Sequence, residues 1–131
     1  MAKLTEEMKT LIAGMQAYVG TASLEGKPNI AMKGSIKVLD DEHVTFFELT
    51  GGRTWQNLQK NPWVVILVAN WNKFEGYRFE GKVDEIITSG PLYEEAKKMT
   101  EIAKIPVPAK AAIKVKIEEI YDMQKGGAKI T

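Results

Sequence analysis

The 131-residue sequence predicts a mainly β chain, an antiparallel barrel with peripheral α-helices. Two observations lead there. Segments rich in β-branched and aromatic residues recur at strand length and are joined by short turns, whereas only three segments carry helical spacing. Strands and helices do not alternate regularly, so a parallel doubly wound sheet is not expected.

The elements follow in order. Leu4, Met8, Leu11, Ile12 and Met15 recur at helical spacing, with Thr5, Glu6 and Glu7 suited to a first turn; the pattern predicts a helix from Leu4 to about Gln16. Ala17–Ser23 reads as a strand, and Gly26 and Pro28 punctuate a turn at Leu24–Asn29. Ile30–Leu39 reads as a second strand loosened at Gly34, Asp40–Glu42 as a turn, and His43–Glu48 as a third strand. A short helix is expected near Thr54–Lys60, stopped at Asn61-Pro62 because the residue before proline resists helix. WVVILVAN (Trp63–Asn70) has too many consecutive apolar residues for a one-sided surface strand and reads as buried. Arg78–Ile87 is a further strand, Pro91–Ala103 an amphipathic helix, Ile105–Lys110 an extended proline-containing link, and Ala111–Tyr121 the last strand. The remainder, 122–131, reads as a loose or partner-dependent tail, and the whole chain, 1–131, as one domain.

Composition excludes several functions. With 18 basic and 17 acidic residues the net charge is +1, which gives no electrostatic argument for nucleic acid or an acidic partner. Without cysteine there is no disulfide, thiol nucleophile or cysteine-ligated cluster. One histidine, His43, rules out a multi-histidine zinc site; it follows an acidic turn and reads as exposed rather than catalytic. No side chain reads as an obligatory acid, base or nucleophile, and no metal site is expected. The charged first ten residues do not resemble a signal peptide, and the longest apolar run is too short to span a bilayer, so a cytoplasmic protein without a membrane partner is expected.

TGGRT (Thr50–Thr54) carries the chemistry. Gly51 and Gly52 allow a ligand to approach the main chain. Thr54 is a candidate N-cap, the first turn of a helix presents free N–H groups, and Arg53 can fork onto phosphate oxygens. The same residues suit a plain strand-to-helix turn in which Thr54 only caps and Arg53 is solvated; composition leaves both readings open. Trp55 reads as helix packing, Trp63 as core or dimer interface, and Trp71, in the polar loop NWNKFEGY, as either a closing or a partner-packing residue.

The order YVGTASLEGKPNIA, KVLDDEHVTFF, Arg-Thr with Asn three residues after the Thr, then NPWVVILV, resembles the small single-domain members of the pyridoxamine 5′-phosphate oxidase-like FMN-binding split barrels. The resemblance spans about Leu4–Tyr121. It implies a split barrel holding FMN at a homodimer interface, with Arg53 and Thr54 on the phosphate and Asn57 supporting them. Lys33, Gly34 and Ser35 would run beside the flavin, with Lys33 raising its potential. Phe47, Glu48, Leu49 and Thr50 would offer main-chain groups to the ring edge, and Trp71 or Tyr77 of the second subunit is a candidate to complete the pocket. It also implies an oxidoreductase or electron carrier working with a small-molecule or protein redox partner. The longer oxidases' C-terminal basic and tyrosine set is missing, which puts pyridoxamine phosphate oxidation in question. Relatives that bind a deazaflavin or haem, and a non-redox binding module, are the alternatives.

Overall fold

A computed structural model describes residues 2–130, leaving Met1 and Thr131 outside the description. Thr5 caps α1 (Glu6–Gly14): its hydroxyl accepts from the Met8 N–H, and Glu6 and Glu7 lie at the favourable end of the helix dipole. Met8, Leu11 and Ile12 are buried in the main core, so the apolar stripe is the face that packs.

The strands are β1 (Ala17–Ala22), β2 (Pro28–Lys33), β3 (Lys37–Val38), β4 (His43–Glu48), β5 (Trp63–Asn70), β6 (Glu75–Ile87), β7 (Ala111–Asp122) and β8 (Ala128–Lys129). Their pairings are all antiparallel, in the order β2-β1-β5-β6-β7-β4-β3, with β8 added to β7. The sheet is a split barrel. β2 and β4, on opposite arms, are not ladder-paired; the chain itself crosses between the arms at Gly34–Ile36. α2 (Arg53–Leu58) packs against β1 and β2, and α3 (Pro91–Ile102) covers the β4–β7 side. Alternation along β4 splits its side chains between two cores. Val44 and Phe46 join the main core, whereas Phe47 joins Ala96, Ala109 and Ala112 under α3.

Several expectations need correction. Ile30–Leu39 is not one strand: β2 ends at Lys33 and β3 starts at Lys37, because the chain changes arms between them. β5 is not buried on both faces. Val64, Ile66 and Val68 point inward while Trp63, Val65 and Leu67 are exposed, so Trp63 is not core. Periodicity could not reveal this, because both faces of the strand are apolar. The tail is partly ordered: a short 3-10 turn at Met123–Lys125 folds β8 back onto Tyr121 and Asp122. His43 is only partly exposed and sits 2.8 Å from Asp40.

Candidate functional site

The split between β2 and β4 is bridged by side chains. Ser35 Oγ accepts from the Phe47 N–H at 3.0 Å, and Lys33 Nζ donates to the Phe47 carbonyl at 3.2 Å. These take the main-chain groups that a neighbouring strand would have used. Lys33 Nζ also lies 2.7 Å from Glu48 Oε2 and 5.6 Å from the Phe46 ring centroid. Glu48 is 2% exposed. Its Oε2 makes no hydrogen bond: the short contact with Lys33 is poorly directed, so this oxygen is neutralised without being satisfied.

Beyond Glu48 the chain turns through Leu49 and the exposed Thr50, and Gly51 adopts a φ of +81°. Gly51 is favoured by its backbone, and it is closely covered by the Lys110 side chain, which is flexible enough to move aside. Its positive φ disfavours other residues, and a Cβ there would lie 2.7 Å from Cε of Lys110. Gly52, not Thr54, is the N-cap of α2, with no side-chain capping bond. Thr54 falls inside the first turn and points into the protein, where its hydroxyl accepts from Asn29 Nδ2 at 3.0 Å. Asn57, one turn later, donates from Nδ2 to Thr21 Oγ1 at 3.1 Å. Both are buried and hold α2 against β2 and β1. Arg53 is exposed and joins none of the ion pairs among the described residues.

The fold therefore brings Lys33, Ser35, Phe47 and Glu48 into direct contact and sets Arg53 at the end of the turn that follows. Gly34 is the exposed crossing residue between the arms. Three participants were not singled out from the sequence. Asn29 and Thr21 position α2 from the sheet. Lys110, whose N–H donates to the Glu48 carbonyl at 2.8 Å, brings a second cation over the turn. Only the register of β7 beside β4 places Lys110 there, far along the chain from Glu48.

The family model of pyridoxamine 5′-phosphate oxidase matches residues 4–124. The chain belongs to the pyridoxamine 5′-phosphate oxidase family. It is 32% identical to an uncharacterized protein of Methanocaldococcus jannaschii over 128 residues, covering 96% of this chain and 85% of that one. The crystal structure of HupZ from Group A Streptococcus is similar, with a TM-score of 0.82 and 35% identity over 98% of this chain and 99% of that one. A pyridoxamine 5′-phosphate oxidase candidate from Lactobacillus delbrueckii has a TM-score of 0.75 and 28% identity, covering 92% and 95% of the two chains. An FMN-binding protein from Syntrophomonas wolfei shares the fold alone, at 19% identity and a TM-score of 0.73, covering 87% and 82%.

On the outer side of β2, β1 and β5, Ile30, Met32, Tyr18, Trp63, Val65 and Leu67 form an exposed apolar face. A groove of about 600 Å³, lined by Gly20, Ile30, Trp63 and Val65 among others, runs along it. Trp71 is 82% exposed, with its ring 5.7 Å from that of Phe74. Tyr77 instead packs against the main core. Among the described residues no group of acidic or histidine side chains is arranged for a metal, and no helix is long and apolar enough to cross a membrane.

Proposed function

We propose that this protein binds FMN along the split, with the ring beside Lys33–Ser35 and Phe47–Leu49 and the phosphate at the Thr50–Thr54 turn, and that it serves as an oxidoreductase or electron carrier. The carrying observation is the pairing of the buried Glu48 carboxylate, whose Oε2 meets Lys33 without a directed hydrogen bond, with an exposed Arg53 guanidinium at the following turn that joins no ion pair among the described residues. A plain structural turn calls for neither. Arg53 supplies the two-pronged phosphate contact, and Gly51 lets the main chain approach it. Thr54 and Asn57 act from behind, fixing α2 and hence the direction of Arg53. The Thr54 hydroxyl accepts from Asn29 and keeps its own proton free to donate. FMN brings the hydride or electron chemistry, and the protein supplies orientation and electrostatics.

The working form is a homodimer in this reading. An apolar face of this kind, reaching the edge strand β2 beside the split, is unusual on a monomer and supports the reading of a second subunit next to the flavin. Trp71 is then the candidate for the partner's contribution, since Tyr77 is engaged in the core. The electron partner is a small molecule or redox protein of the cytoplasm.

The test is a flavin-fluorescence titration of apoprotein with FMN, for wild type and Arg53→Ala. Wild type is expected to quench, and loss of a charge-assisted phosphate contact of about 1.5–3 kcal/mol weakens binding by roughly 10- to 100-fold. Absence of quenching in both proteins overturns the FMN reading and leaves a deazaflavin or a non-redox ligand.

A further inference from the structure

Val44, Phe46 and Glu48 share one face of β4, and the first two are core residues. The alternation that buries them calls for an apolar side chain at the third position, yet a carboxylate stands there, 2% exposed. Burying it costs desolvation that an ion pair repays only when its remaining hydrogen-bonding capacity is met. Here Oε2 is left without a hydrogen bond. Nor does Lys33 need the carboxylate for its placement: it already donates to the Phe47 carbonyl and lies over the Phe46 ring.

From this pair, and resting on the flavin reading above, we infer that Glu48 sets the oxidation-state preference of the site: by neutralising Lys33 it removes the cation that would favour the more negative, reduced flavin. Lys33 alone beside the ring would hold reduced FMN more tightly than oxidised FMN. With Glu48 2.7 Å from its ammonium, the wall presents no net charge, and the two forms bind with similar affinity. Glu48 is thus a specificity residue, and Lys33 acts as half of a pair rather than as a free cation.

The experiment measures Kd for FMN and for dithionite-reduced FMN with wild type, Glu48→Gln and Lys33→Met, and checks the ratio against the midpoint potential of the bound flavin. Glu48→Gln is expected to shift the ratio about tenfold toward the reduced form, which raises a two-electron potential by about 30 mV. Lys33→Met is expected to shift it the opposite way, because the carboxylate is then uncompensated. An unchanged ratio in Glu48→Gln, with FMN still bound, overturns this inference and leaves the flavin reading standing. Should Glu48→Gln fail to fold, Lys33→Met decides: a ratio equal to wild type overturns the inference, and a shift toward the oxidised form supports it. Wild type that binds neither form overturns both readings together.

Discussion

Arg53 and Thr54 are chain neighbours, yet one faces solvent and the other is buried against Asn29. Asn57 repeats the inward pattern one turn on, meeting Thr21. Asn57→Ala leaves the Thr21 hydroxyl without its donor in a buried setting and is expected to cost about 1–3 kcal/mol in denaturant unfolding. Arg53→Ala should leave stability unchanged. That contrast separates the residues that hold α2 in place from the one proposed to bind the phosphate. A different residue-scale effect lies at Asp40. Burial by itself would raise its carboxyl, but the Glu42 N–H and the His43 ring outweigh burial and hold it below the ordinary 3.8. A carboxyl held low in the folded state stabilises the fold above its unfolded value, and the effect is lost as pH falls through the folded value. Asp40→Asn is therefore expected to lower Tm at pH 7, with the gap to wild type closing as pH falls below 3.8.

Elements show where local pattern sufficed. β4 has the bounds expected for it, and α1 and α3 lie within a few residues of theirs, because their amphipathic or β-branched patterns agree with the packing they meet. β5 also has the expected bounds but not the expected burial. An all-apolar strand looks the same whether its second face meets the core, a partner or solvent. β6 carries a feature with no local signal at all. At the irregularity between Glu80 and Gly81, a Cβ on Gly81 would lie 2.2 Å from the Lys116 carbonyl oxygen and 3.0 Å from Val115 Cγ1. The first of these is backbone and cannot step aside cheaply. Gly81→Ala is expected to cost about 1–3 kcal/mol, read as a lowered denaturant midpoint with an unchanged slope.

At the scale of the whole molecule, the open question of the apolar face becomes a measurement. Leu67 faces outward between Tyr18 and Arg78 in the register. Leu67→Asp, on the exposed face, is expected to leave the protomer folded by circular dichroism while sedimentation velocity shows the proposed dimer shifted to monomer. If the second subunit completes the pocket, FMN affinity falls with it. A wild-type protein that is monomeric at micromolar concentration and still binds FMN would contradict the shared site.

The sequence by itself determined the mainly antiparallel β class, most of the element order and the Gly-Gly-Arg-Thr turn, because each depends on residues adjacent or regularly spaced in the chain. It named Lys33, Ser35, Phe47 and Glu48 through family resemblance, but not how they meet. Only the tertiary structure decided that Lys33 is neutralised by Glu48, that Ser35 and Lys33 take the Phe47 main-chain groups, that Thr54 turns inward, and that Lys110 lies over Gly51. The reason is physical: these contacts cross the split between two arms of the sheet or run between distant strands. Which residues face each other there depends on strand register and on where the chain changes arms, and neither is encoded in any local period.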